Sequence, residues 1–258
     1  MSKKERIDIL LVVKGMVESR ALAQRLIMAG QVTAGGERVH KASERFLLDV
    51  ELAISELPRY VSRGGEKLEA ALQAFPVEVA GMICADLGSS TGGFTDCLLQ
   101  HGAERVYAID VGKGQLHWSL RQDERVVVME GVNARHLHSL PEAVRIVTID
   151  AAFISLNLLL PRAADWLDPA GDVIALVKPQ FEAGVEKVGK GGIVKTASVH
   201  KEVLEAVIGY ALRSNLGPRG LIRSPIHGAK GNLEFLLWMR KGDLSVEPRT
   251  LIDSAFME

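Results

Sequence analysis

Apolar residues follow two different rhythms on either side of about residue 60. In RIDILLVVKGM, starting at Arg6, and in ESRALAQRLIMAG, starting at Glu18, they recur at helical spacing. Ser19 can cap the second of these helices and Gly30 ends it. QVTAGGERVH then alternates around a Gly-Gly turn, as a hairpin does, and FLLDVELAI supplies a further apolar strand. The pattern predicts a small α+β module over residues 1–59.

From about residue 80, short apolar runs (MICADLG, RVYAIDVG, VVVMEG, VRIVTIDA, DVIALVKP) alternate with the helical patterns GGFTDCLLQHG, LHWSLRQD and ASVHKEVLEAVIGYALRSN. Alternation of this kind predicts an α/β domain with a mainly parallel sheet covered by helices, in which ligands gather at the carboxyl ends of the strands. GLIRSPIHG and EFLLWMRK, joined by GAKGN, read as a closing antiparallel pair. Between the two regions lies YVSRGGEKLEAAL. Its glycines predict a flexible linker over residues 60–66, and a second domain over 67–258 opens with a helix carrying Lys67 in its first turn.

With 258 residues, 47% of them hydrophobic and 24% charged, the chain can bury a substantial core, which excludes global disorder. Net charge is only -1, but residues 1–67 hold 12 Lys and Arg against 9 Asp and Glu. The basic end points to a polyanionic partner. On the second helix Leu22, Leu26 and Ile27 can face a core, while Arg20, Gln24 and Arg25 lie on the solvent side, near Lys14. Cys84 and Cys97 lack the number and spacing of a zinc set or a disulfide framework, and read as reduced core residues with no metal. No signal-peptide pattern opens the chain, and its longest apolar stretch carries Asp150 and ends in proline, so a cytoplasmic protein without a membrane span is expected.

Candidate chemistry concentrates at strand ends. In ADLGSSTGGFTDCLL a strand ends at Asp86 and Gly88, a turn follows through Ser89, Ser90, Thr91, Gly92 and Gly93, and Phe94 begins a helix. Glycines let the backbone approach a ligand, and amides at a helix start point into the crevice. Asp110 ends the next strand 24 residues on, where a carboxylate can accept hydrogen bonds from ribose hydroxyls. Asp150, Lys178 and Glu234 stand beside strongly apolar sequence, which an unpaired charge would avoid. GVEKVGK, at 184–190, matches most of a phosphate-binding loop, but Gly191 replaces its Ser or Thr and no strand leads directly into it, which excludes nucleotide hydrolysis.

These motifs resemble known families. RIDILLVVKGMVESRALAQRLIMAGQVTAGGERV is similar to an S4 RNA-binding domain. That implies RNA contacts from Arg6, Lys14, Arg20 and Arg25, with Arg63 available to a phosphate. Asp86-x-Gly88 with Asp110 resembles the S-adenosylmethionine site of class I methyltransferases, whose fold is Rossmann-like with a seven-stranded sheet. Lys67, Asp150, Lys178 and Glu234 match in order the K-D-K-E tetrad of FtsJ-like 2'-O-ribose RNA methyltransferases. The resemblance implies cofactor contacts from the glycine turn, Asp110, Val111, Gln115, Asn133 near the adenine, and Asp150. A ribose hydroxyl is a poor nucleophile, so transfer needs a base and in-line placement. Lys178 is expected to be that base, with Lys67 beside it and the two carboxylates holding the amines.

Together with DVGKGQL, NAR, DAAFISL, KPQFEAG and GAKGNLEFL, the order of parts resembles the TlyA family of ribosomal RNA cytidine 2'-O-methyltransferases, implying ribosomal RNA or ribosomal subunits as partner. Ala151-Ala152 and Gly131-Val132 depart from that family's usual Val-Ser and Arg-Thr. Members are often labelled haemolysins, so a membrane-active protein is one rival reading; a non-catalytic RNA-binding assembly factor is the other. The chain has no apolar span and no strongly amphipathic basic helix to support the first.

Overall fold

A computed structural model describes residues 4–55, 57–243 and 247–256. It divides between Pro58 and Arg59 into two compact units.

The first unit contains β1 (Lys4–Arg6), α1 (Ile7–Val13), α2 (Arg20–Met28), β2 (Val32–Ala34), β3 (Glu37–Arg38), β4 (Arg45–Leu47) and β5 (Leu52–Ile54). Ser19 caps α2 by accepting a hydrogen bond from the Leu22 amide. The β2–β3 hairpin turns on Gly35 and Gly36, both at positive φ, a geometry that closes a two-residue loop with the twist of the strands. FLLDVELAI forms two strands where one is expected. A turn through Leu47 and Val50 separates β4, which pairs with β1, from β5, which pairs with β2, so each short strand finds its own partner. Ile7, Leu11, Leu26, Ile27 and Val32 form the core.

The second unit continues with α3 (Gly64–Ala74), β6 (Ile83–Leu87), α4 (Gly93–Gln100), β7 (Arg105–Asp110), α5 (Trp118–Gln122), β8 (Val126–Glu130), β9 (Val144–Ile149), α6 (Leu160–Trp166), β10 (Leu167–Val177), α7 (Pro179–Glu182), α8 (Ala197–Arg213), β11 (Leu216–Arg223), β12 (Phe235–Lys241) and α9 (Pro248–Ser254). Seven strands form one sheet in the order β11-β12-β10-β9-β6-β7-β8, with β12 antiparallel to both neighbours. Alternate residues of each strand feed opposite cores. Leu87, Ile109, Val147 and Val177 pack on one face, and Cys84, Val106, Ile146 and Leu176 on the other. Covering on both faces explains why these strands read as continuous apolar runs.

The stretch 60–66, expected as a linker, packs inside the second unit. Tyr60 is buried, and Gly64 and Gly65 form the first turn of α3. Close packing accounts for glycine at Gly65, where a Cβ would lie 2.2 Å from the Tyr60 ring. The same holds for Gly93 on α4, whose Cβ would meet Ser62 Oγ at 2.3 Å and the Gly65 amide at 2.9 Å. The glycines let the starts of α3 and α4 touch, and with them the two segments that lead into the site. Among the described residues no helix is long and apolar enough to cross a membrane.

Candidate active site

The first unit's basic residues have different partners. Asp8 is fully buried and accepts from Arg6 Nε and Nη2, Arg20 Nη2 and Gln24 Nε2 at 2.9–3.0 Å. Arg6, then Gln24 and Arg20, hold its carboxyl well below the usual range against the opposing effect of burial. Lys14 donates to the Val50 carbonyl. Arg25 is exposed. Arg20 and Gln24, read from periodicity as plain solvent-side residues, thus also serve the interior by satisfying Asp8.

In the second unit the carboxyl edges of β6, β7, β9 and β10 meet two adjoining cavities. One, about 290 Å³, is lined by Gly88, Ser90, Asp110, Val111, Gln115, Asn133, Asp150 and Phe153 among others. Gly88 sits at φ +85, and a Cβ there would lie 2.6 Å from the Asp150 carbonyl oxygen, so only glycine fits between the two strand ends. Asp110 closes β7 and accepts from the Ser90 and Gly112 amides at 2.9 and 2.7 Å. These bonds position its carboxylate at the cavity wall.

Asp86 lines neither cavity. It is completely buried beneath the turn, where Thr95 Oγ1 and Thr148 Oγ1 donate to it at 2.7 and 3.1 Å. Burial pushes its carboxyl up to about 7, although both threonine bonds pull it back down. Expected as a direct cofactor contact, it instead ties β6 to α4 and β9 from below, because its position in the strand points it at the α4 side of the sheet. Gly92 also stays off both cavity walls; at φ +98 it starts α4 with Leu120 and Leu116 packed where a Cβ would stand.

The second cavity, about 460 Å³, is lined by Lys67, Asp150, Lys178 and Glu234 together with Arg63, Ser89, Thr91, Phe94, Gln180 and His227. Lys67 Nζ donates to Glu234 Oε2 at 2.6 Å, and Lys178 Nζ lies 2.6 Å from Asp150 Oδ1. The four residues come from α3, the end of β9, the end of β10 and the start of β12, and are up to 167 positions apart in the chain. Each lysine side chain is about one-eighth exposed, so the pairs are held at the cavity surface. Two buried polar atoms on this wall, Ser89 Oγ and Gln180 Oε1, have no hydrogen-bond partner. Buried polar atoms are rarely left unpaired.

Sequence reading missed several supports. Glu130, the last residue of β8, accepts from the amides of Gly114, Gln115 and Leu116 and from Arg121, which holds its carboxyl down at about 2. It shapes the loop that carries Gln115. As a third acidic strand end after Asp86 and Asp110 it carried a usable signal. Glu182 accepts from the Leu156 amide and Ser155 Oγ, fixing the segment after Asp150, and burial raises its carboxyl. Phe153, 90% exposed and at φ +63, stands 5.0 Å from Phe181 and lines both cavities. The phosphate-loop look-alike at 184–190 forms a short 3-10 turn and part of a hairpin-like bend closed by Gly189 and Ile193, with no strand-to-helix step.

The chain is similar to known families and proteins. Residues 60–241 match the FtsJ-like methyltransferase model and residues 5–51 the S4 domain. A candidate rRNA methyltransferase of Bacillus subtilis, YqxC, is 52% identical over 92% of this chain and 85% of its own. The 16S/23S rRNA (cytidine-2'-O)-methyltransferase TlyA of Mycobacterium tuberculosis is 43% identical over 93% of this chain and 91% of its own. A solved structure from Streptococcus thermophilus, described as a candidate hemolysin, superposes with a TM-score of 0.75 at 45% identity, covering 99% of this chain and 97% of that one.

Proposed function

The chain belongs to the TlyA branch of the FtsJ-like methyltransferase family, with an S4 domain ahead of the methyltransferase fold, and from that premise we propose that it methylates the 2'-hydroxyl of a cytidine in ribosomal RNA. The observation that carries the reading is the meeting of two lysine–carboxylate pairs in one cavity beside a glycine turn that borders a second cavity.

The residues of the smaller cavity fit S-adenosylmethionine. The turn through Gly88 and Ser90 leaves room for its methionine end, Asp110 suits the ribose hydroxyls and Asn133 the adenine side. When bound, the cofactor supplies an electrophilic methyl group on a cationic sulfur. Asp150 lines both cavities, so its partner Lys178 stands where the recess opens toward the substrate.

Lys178 must enter the reaction as the free amine to take the hydroxyl proton. Its ion pair with Asp150 at 2.6 Å fixes the nitrogen at the cavity wall, where the hydroxyl can reach it. Lys67, held by Glu234, orients the hydroxyl oxygen in line with the transferring methyl. Phe153 and Phe181 offer aromatic faces for a base placed beside that ribose, and Arg63 a charge for its phosphate. Arg6, Lys14, Arg20 and Arg25 give the S4 unit a basic surface for the RNA.

Incubation with separated ribosomal subunits and a labelled methyl donor, followed by mass spectrometry of the digested RNA, tests the reading. A methyl group on a cytidine 2'-oxygen is the expected product. Label on a base, or none on any subunit while the cofactor binds, overturns it; the latter result would favour a non-catalytic assembly role.

A further inference from the structure

Cys97 on α4 and His101, which caps its C-terminus, stand one turn apart, and Glu69 faces them from α3. No pattern in the sequence joins these three; folding does. The His101 ring commits Nδ1 to the Cys97 carbonyl oxygen at 2.8 Å, so Nδ1 carries a proton there. In the neutral ring Nε2 is then an acceptor, and it lies 3.3 Å from Glu69 Oε2, also an acceptor. Either a proton on Nε2 or a metal ion between the two atoms satisfies that contact.

We propose that Glu69, Cys97 and His101 form a Zn²⁺ site that clamps α3 to α4. A tetrahedral zinc with ligand bonds of about 2.0–2.3 Å places its ligand atoms roughly 3.3–3.8 Å apart. Glu69 Oε2 lies 3.3 Å from His101 Nε2 and 4.0 Å from Cys97 Sγ, and all three ligand atoms fall within 4.8 Å of one another, so the sulfur must move in by up to about 1 Å to complete the set. The surroundings already have the form of an outer shell. Nδ1 donates to a carbonyl, as metal-bound histidines do, and Glu69 is oriented by Tyr60 OH at 2.5 Å and Arg59 Nη1 at 2.8 Å. The His101 edge is partly exposed, which gives an entry path and a fourth position for water.

Cys97 is buried and in the metal-free protein is a thiol, pushed up to about 12 by burial. On binding, Zn²⁺ takes the thiolate sulfur and the thiol proton leaves to solvent, so affinity rises with pH. Because Glu69 follows Lys67 by two residues on α3, the ion would sit directly behind the helix turn that carries Lys67. This inference does not depend on the methyl-transfer reading, since it concerns binding alone.

Chelator-treated protein titrated with CoCl₂ should take up one equivalent, with the near-ultraviolet charge-transfer band of a thiolate–cobalt bond, and ZnCl₂ should displace it. Cys97→Ser should abolish the band. His101→Asn, at a partly exposed position and safer for folding, should weaken binding by more than the about 10- to 100-fold typical of losing an outer-shell partner. Cys84→Ser should leave the band intact. Absence of any band in the wild-type protein overturns the proposal, as does a band that survives in Cys97→Ser. Zinc should also raise the melting temperature of the wild type and not of Cys97→Ser.

Discussion

Each unit of the protein sets carboxylates against cations, and the two sets differ in how fully the charges are used. In the first unit Asp8 is sealed from solvent and receives donors from three side chains, Arg6, Arg20 and Gln24. In the second, Asp150 and Glu234 each hold one lysine at the wall of an open cavity. A saturated carboxylate has no capacity left for a ligand, so the Asp8 cluster anchors α1 to α2 and fixes the direction of two arginines. The cavity pairs retain lone pairs and protons facing open space, which is what a reaction on a substrate requires.

The contrast is tested most strongly at Lys178. Lys178→Ala should lower methyl transfer by about 10²- to 10⁴-fold, the usual contribution of a positioned base, with cofactor affinity preserved by equilibrium dialysis. Near-normal transfer would reduce the pair to the same anchoring role as Asp8.

At Asp8 the effect should be on stability. Asp8→Ala removes charge-assisted bonds and should cost about 1.5–3 kcal/mol, read as faster amide exchange across α1 and α2 with the α4 amides unchanged. The carboxyl of Asp8 is depressed in the folded protein, so its contribution is full above the unfolded value of about 3.9 and is lost as pH falls below that toward the folded value. Asp8→Ala should therefore show a shallower acid loss of the first unit's exchange protection than the wild type.

A smaller contrast separates packing from flexibility at the head of α3. Gly65→Ala should destabilise by about 1–3 kcal/mol in thermal melts, because its Cβ overlaps the Tyr60 ring. Gly64→Ala, whose Cβ has no neighbour nearer than 3.4 Å, should be neutral or stabilise by up to about 1 kcal/mol. Equal effects at both sites would restore the hinge interpretation. The smallest expected change is at the cofactor recess: Ser90→Ala should weaken S-adenosylmethionine binding by about 1 kcal/mol, roughly fivefold, by calorimetry.

Local pattern alone determined the two-part organisation, the parallel sheet, the capped α2, the glycine turn and the strand-end positions of Asp110, Asp150, Lys178 and Glu234. Those features depend on near neighbours: period, caps, turn residues and the point where an apolar run stops. Tertiary structure decided what each polar group faces. Asp86 shares a strand end with Gly88, yet Thr95 and Thr148 enclose it, whereas Asp110 reaches the cavity. Gly64 and Gly65 look like a hinge until Tyr60 and Gly93 close around them. Cys97 and His101 stand one helical turn apart, but Glu69 meets them only because α3 lies on α4. Burial and partnership are set by residues far away in the chain, and a linear pattern does not contain those distances.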